Sequence, residues 1–410
     1  MGAPHLGIPP DAHPPAALKD LLILDVSRVL AGPYCTMVLG DYGARVVKVE
    51  EPTRGDDTRH WGPPFTAAGE SAYFLTANRN KQSITLNLKD AAGKAIFLEL
   101  VQRADVLVEN FRVNALDQLG LGYAACRAVN PRLVYCAITG YGQTGPYAHL
   151  PGYDNIIEAQ GGIMSITGPD EGTASKVGVA IVDITAGLHA AIAILGALRH
   201  RDATGEGQYI DVALLDVQLS WLANVASAYL VSGAPPQRYG NAHPSIVPYQ
   251  TFATADGLLM LAVGNDRQFG SLCRVLELET LAGDPNYCTN AARVEHRATL
   301  IPLLENEFCK RTTRQWVELL HAQGIPCGPV NDIPTALHDP QAQARGMVQS
   351  VHHPAGEEIP QIGPPIKLSA TPPRVQSAPP HLGEHTATVL NELLGMDPTT
   401  IAALRQQGVI

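Results

Sequence analysis

The run Leu21-Leu-Ile-Leu-Asp25-Val26, then Ala31-Gly-Pro-Tyr-Cys-Thr-Met-Val-Leu-Gly-Asp41, then Arg45-Val-Val-Lys-Val-Glu50, decides the fold. The outer two pieces are short apolar runs of the kind that forms strands buried on both faces. The middle piece reads as a helix entered through Pro33 in its first turn. Strand, helix and strand in this order predict a right-handed βαβ unit. Its first turn, Ser27-Arg-Val-Leu-Ala-Gly32-Pro33, lacks the G-x-G-x-x-G spacing that lets a backbone approach a pyrophosphate, which argues against a nicotinamide site.

The same alternation continues down the chain. Asn78–Lys89 reads as a strand, Asp90–Arg103 as a helix capped by its aspartate, and Asp105–Phe111 and Arg132–Thr139 as further strands. Val177-Gly-Val-Ala-Ile-Val182 reads as a buried strand delivering Asp183 to its end, with a helix from Ile184 to His200 behind it. Tyr209–Ala213 follows as a strand and Leu214–Val231 as one long helix. The expected class is α/β, a doubly wound, mostly parallel sheet with a smaller α+β domain. Ser232–Val247 is rich in Gly, Pro, His and Asn. Beyond it come a hairpin turning at Asp256-Gly257 and helices at 266–276, 293–309 and 313–323. The predicted division is a loose arm at 1–17, a large domain at 18–231, a small domain at 232–338 and an extended return segment at 339–410. That tail has few apolar residues and must lie along the large domain or a partner subunit.

Composition bounds the function. With 410 residues, 45% hydrophobic and 17% charged, the chain is expected to be an ordinary soluble globular protein of two domains. A formal net charge of −10 without a basic stripe argues against nucleic acid. Seven cysteines without a C-x-x-C pair argue against a disulfide framework or a zinc site and suggest a reducing, cytoplasmic location. The Pro-rich opening does not read as a signal peptide, and no run of roughly eighteen apolar residues suggests a membrane span. There is no P-loop and no H-E-x-x-H pair, so neither a nucleoside triphosphate nor a metal is expected. What remains is carboxylate chemistry at strand ends. Asp183 reads either as a helix cap or as a reactive group, and Asp154, beside Tyr153, as a helix start or the wall of a site.

Taken as an ordered set, several stretches resemble the family III CoA-transferases, the group that contains the formyl-CoA, carnitine and succinyl-CoA–glutarate enzymes. They are Leu24-Asp-Val-Ser-Arg-Val-Leu-Ala-Gly-Pro33, Ala44-Arg-Val-Val-Lys-Val-Glu50, Asn78-Arg-Asn-Lys81, Ala104-Asp-Val-Leu-Val-Glu-Asn-Phe111 and Gly140-Tyr-Gly-Gln-Thr-Gly-Pro146. Thr204-Gly-Glu-Gly207, Gly324-Ile-Pro-Cys-Gly-Pro329 and Leu382-Gly-Glu-His385 complete it. Arg238–Gln250 is most similar to the succinyl-CoA–glutarate branch.

The resemblance implies a Rossmann-like large domain and an interlocked homodimer. It implies Asp183 as nucleophile, with Asp154 and Tyr153 as neighbours, and CoA contacts at Leu30, Ala31, Leu86, Lys89, Asn110 and Phe111. CoA and acyl-CoA would be substrates, with no tightly bound cofactor. Glu51 and Gln118 stand where relatives contact CoA differently, so Arg54, Arg79, Lys81 or Arg112 would have to serve its phosphates. Arg79 and His243 are candidates for a second substrate carboxylate, the donor being succinyl-CoA and the acceptor a dicarboxylate such as glutarate, malate or itaconate. The alternative is an α-methylacyl-CoA racemase, which abstracts a proton from C2 and places His in the triplet Gly152-Tyr153-Asp154. A phenol, with an ordinary pKa near ~10, is a poor base at neutral pH. A non-catalytic CoA-binding protein would not need Asp183.

Overall fold

The computed structural model describes residues 15–410, so the predicted arm at 1–17 falls almost wholly outside the described residues. Six strands form one parallel sheet: β1 (Leu22–Asp25), β2 (Arg45–Glu50), β3 (Lys81–Thr85), β4 (Val106–Glu109), β5 (Val134–Thr139) and β6 (Tyr209–Ala213). Their spatial order is β3-β2-β1-β4-β5-β6. Strand order reverses between β1 and β4, and a doubly wound sheet opens a crevice at such a point, beyond the carboxyl ends of its strands.

Alternate residues of each strand feed two cores. Leu24, Val47, Leu107 and Tyr135 face helix α2 (Ala91–Arg103) and the C-terminal helices Thr386–Leu394 and Pro398–Gln406. Ile23, Val46, Val108 and Cys136 face α1 (Ala31–Asp41) and a long helix, α4 (Ile181–Thr204), introduced here with α3 (Asp154–Gln160). Each aliphatic side chain withdrawn this way contributes about 1.5–3 kcal/mol before the entropy of ordering is subtracted. α4 is long and apolar enough by composition to cross a bilayer, but its Val182, Ala186, Ala190 and Ile194 are buried in this core.

Three sequence expectations change. Val177–Val182 is not a strand: β6 already pairs with β5, and helix starts at Ile181. A short apolar run fits a buried strand and the first turn of a buried helix equally well. The helix expected at Leu214–Val231 is interrupted at Trp221-Leu222, where Ala223 takes a φ of +44°. The one expected at 293–309 is likewise split at His296.

The chain divides into two compact units. One comprises the chain to Gly162, Val177–Asn224 and Pro340–Ile410; the other comprises Ile163–Lys176 and Val225–Asp339. The tail thus rejoins the first unit of its own chain: Arg59 donates to Pro380 O, Asn80 to Arg374 O, and His385 N to Ser83 O. The second unit carries an antiparallel three-stranded sheet, Tyr249–Ala253, Leu258–Ala262 and Cys327–Pro329. Phe252, Phe269, Phe308 and Trp316 lie at its core.

Candidate active site

The crevice at the β1/β4 switch point is a cleft of about 230 Å³. The segment after β1 supplies Arg28, Val29, Leu30 and Ala31, and that after β4 supplies Asn110, Phe111 and Arg112; Gly140, Gly152, Tyr153 and Asp183 close its far wall. A second cleft of about 410 Å³, lined by Leu86, Lys89, Lys48, Asp56 and Glu51, shares Arg28 and Phe111 with the first. The two clefts adjoin at these residues, with Asp183 lining the first part of the groove and Lys89 the second.

Asp183 is the third residue of α4. Its place is set one turn further on, where Gly187 lies against α1 so closely that a Cβ would sit 2.6 Å from Ala31 O. Only glycine lets the two helices approach this far, and the contact puts Asp183 beside the first turn of α1. The N-cap of α1 is Leu30, which offers no capping side chain. First-turn N–H groups have no acceptor inside their own helix, so α1 turns an uncapped, partly positive end toward the cleft. Gly140 and Gly152 cross with a would-be Cβ of Gly140 2.6 Å from Gly152 Cα, which brings the Tyr153-Asp154 turn against β5.

The expectation that Asp183 caps its own helix is overturned. Asp154, the first residue of α3, does it from outside: its Oδ1 accepts from Val182 N at 2.8 Å and Asp183 N at 3.2 Å. A helix N-terminus would by itself favour the ionised carboxyl, but the shift at Asp183 runs the other way. Burial, and then the charge of Asp154, push the Asp183 carboxyl up to about 7. The other oxygen of Asp154 is buried without a partner among the described residues. Tyr73, which nothing in its sequence surroundings singles out, faces the same pair. Burial, then Asp183 and Asp154, push its phenol up, and its ring meets Trp61 edge-on at 5.1 Å.

The predicted contacts divide between the two clefts, with Phe111 common to both. Leu30, Ala31, Asn110, Phe111, Tyr153 and Asp183 line the first cleft, and Leu86 and Lys89 the second. Asn110 clamps the loop after β1, accepting from Arg28 N at 2.8 Å and donating to Arg28 O at 2.7 Å. Two proposed cations are spent elsewhere. Arg79 is buried in a bidentate pair with Asp41 (2.8 and 2.7 Å) and also donates to Ile362 O. Lys81, fully buried, is 2.9 Å from Asp25. Arg54 is exposed and lines neither cleft, whereas Arg112 lines the first. Arg28, absent from the sequence-based set, lies over Phe111 at 5.2 Å where the clefts meet. His243 belongs to the second unit, where its ring stacks on Tyr249 and its Nδ1 accepts from Ser245 N.

Beneath the groove runs a chain of buried charges. Lys48 and Asp56 form a pair at 2.9 Å, and Arg59 binds Glu50 at 2.7 Å. Burial opposes both charges of the first pair, but their mutual attraction wins: the Asp56 carboxyl is held low and the Lys48 ammonium high. Such an investment in buried ions beside a cleft is a mark of a functional site.

The sequence pattern of CoA-transferase family III matches residues 18–386. The chain belongs to that family. It is 47% identical over 395 residues to the succinate–glutarate CoA-transferase of Agrobacterium fabrum, covering 95% of this chain and 98% of the relative. It is 43% identical to the human succinyl-CoA:glutarate CoA-transferase, covering 96% and 90%. Among solved structures, a CAIB/BAIF family protein from Brucella suis superposes with a TM-score of 0.84 at 45% identity, covering 92% of this chain and 99% of that one. This family III CoA-transferase is therefore an enzyme of CoA transfer between acids, and relatives named for oxalate and mesaconate fit the same description.

Proposed function

We propose that the enzyme moves CoA from succinyl-CoA to a dicarboxylate such as glutarate, with Asp183 as the nucleophile. The observation that carries this reading is the position of Asp183: a carboxylate lining the same cleft as Leu30 and Ala31, which begin an uncapped helix. The relatives named succinate–glutarate CoA-transferase, at 43–47% identity, support the substrates.

The Asp183 carboxylate attacks the thioester carbonyl, and collapse of the tetrahedral adduct expels CoA thiolate and leaves an aspartyl–succinyl anhydride. The thiolate attacks the aspartyl carbonyl, succinate leaves, and an aspartyl-CoA thioester remains. The acceptor carboxylate then attacks that thioester, and the released thiolate takes the acceptor's acyl group from the second anhydride, freeing Asp183. One exchange becomes a series of easier steps without loss of the thioester's energy. Each adduct carries an oxyanion, for which the first amides of α1 are suitably oriented donors. Arg28, Arg112 and Lys89 replace Arg79 and Lys81 as the cations for the CoA phosphates and the distal carboxylate.

A second proposal concerns assembly. Leu188, Ile192 and Leu195 form an apolar stripe on α4 that is 40%, 67% and 41% exposed, and a second copy of the chain would cover it as an interlocked homodimer. The folded-back tail does not itself require that partner.

Incubation with succinyl-CoA and a panel of dicarboxylates, read by mass for new thioesters, tests the reaction. Glutaryl-CoA and free succinate in equal amounts are expected; C2 exchange in 2-methylacyl-CoA without transfer would replace this reading with the racemase. The Tyr153 phenol in place of histidine disfavours that outcome.

A further inference from the structure

Val29 stands in the loop joining β1 to α1 with a φ of +69°. β-Branched residues rarely take this conformation, and they keep it only where the surroundings over-determine it. Here the agent is visible. Val29 N donates to both oxygens of Asp56, at 3.2 and 3.3 Å. Asp56 is in turn fixed by Lys48, whose Nζ is 2.9 Å from it and 2.9 Å from Ser27 O in the same loop. Both side chains of the pair are fully buried. The remaining bonds of Asp56 tie it to its own segment, with Thr58 N and Oγ1 donating to Oδ1 and its own N donating to Glu50.

We propose that the Lys48–Asp56 pair is a positioning device: it holds Val29 in the left-handed conformation from which Leu30 and Ala31 turn the first amides of α1 into the Asp183 cleft. The pair touches no reacting atom. Released from Asp56, Val29 relaxes to negative φ, the peptide units at 29–31 rotate, and the amides leave the cleft wall. The inference rests on the reading of that cleft as the acyl-CoA site.

Glycine supplies the test, because it takes positive φ without strain. Asp56→Ala is expected to lower kcat/KM for CoA transfer by roughly tenfold or more, the scale of one lost oxyanion donor. Adding Val29→Gly to Asp56→Ala is expected to restore most of the loss, with the double variant read against the Val29→Gly single variant as well as against wild type. A merely structural role for Asp56 predicts no such rescue: a double variant as impaired as Asp56→Ala overturns the proposal. If Asp56→Ala does not fold, the double replacement Lys48→Met/Asp56→Leu, which strands no buried charge and leaves Val29 N without its acceptor, takes its place in the same cycle. CoA affinity by calorimetry is measured on all four proteins. If the wild type transfers nothing, the substrate reading fails while rescue or non-rescue of CoA binding still decides the positioning role.

Discussion

One carboxylate oxygen of Asp154 accepts the backbone N–H groups of Val182 and Asp183 together, so one acid caps the helix that carries the other. The arrangement fixes Asp183 through its own backbone while leaving its carboxyl to the cleft. It also places a like charge beside it, and with burial that keeps Asp183 poised near neutral pH. A carboxylate held this high is a better nucleophile than an ordinary one, which suits attack on a thioester.

This predicts an acid limb in the pH dependence of kcat/KM, with activity rising as pH passes through about 7, because only the ionised carboxylate attacks. Asp154→Asn keeps an acceptor for the two amides but removes the charge. The limb should then move to lower pH by roughly one unit. A limb that stays in place, or moves up, would show that Asp154 does not act on Asp183 electrostatically.

The same shift has a consequence for stability. The folded-state pKa of about 7 lies above the ordinary 3.8, so between those values the folded protein holds a proton that the unfolded chain has released. Asp183 therefore adds nothing unfavourable below about pH 4, and its cost grows as pH rises to 7 and then levels. Asp183→Asn should abolish transfer while CoA still binds. It should also stabilise the protein by up to about 4 kcal/mol at pH 8 and not at all near pH 4. Thermal melts at the two pH values, with isothermal titration of CoA, check both halves; equal melting shifts at both would contradict the assignment.

How far these features were legible in the sequence follows from what each depends on. The sheet was readable because strands buried on both faces are continuous apolar runs, and Leu22–Asp25, Arg45–Glu50 and Val106–Glu109 fall within the predicted stretches. Val177–Val182 was misread because burial alone does not distinguish strand from helix. The fates of Arg79 and Lys81 were hidden because their partners, Asp41 and Asp25, lie 38 and 56 positions away, and pairing over such distances is created by topology. Tyr73 and Asp56 escaped for the same reason. Asp183 stands out in the sequence at the end of an apolar run, but nothing local says that Asp154 will cap a helix 28 residues downstream.

Arg79 offers a direct contrast between the two readings. As a substrate cation it would govern preference for dicarboxylates. As half of a buried pair with Asp41 it governs stability. Arg79→Met should lower the unfolding free energy by roughly 3–5 kcal/mol by stranding Asp41, with the ratio of glutarate to monocarboxylate use unchanged in the folded fraction. A selective loss of dicarboxylate turnover would return Arg79 to the site.

Lys89 should behave in the opposite way. It is exposed at the end of the second cleft, away from Asp183. Lys89→Ala should raise KM for acyl-CoA by about three- to tenfold with kcat little changed, as for removal of uniform binding. Because an exposed charge is screened, wild-type KM should rise with salt, and the variant's should rise less. Equal salt slopes would remove Lys89 from the phosphate contacts.

Gly187 is the last link between sequence and chemistry. A methyl group there would meet Ala31 O at 2.6 Å and Cys35 N at 3.2 Å, both backbone atoms that cannot swing aside. Gly187→Ala must therefore push α4 away from α1, carrying Asp183 off the helix end it faces. Overpacking of this kind costs about 1–3 kcal/mol of stability, and the displacement should lower kcat more than it raises KM. Gly196, nine residues further along the same helix, has nothing within 4 Å of its would-be Cβ. Gly196→Ala should be neutral or stabilising by about 0.5–1 kcal/mol, with full activity. Steady-state kinetics and denaturant melts on the two variants separate helix propensity from the α1 contact; equal behaviour would mean that Gly187 does not set the position of Asp183.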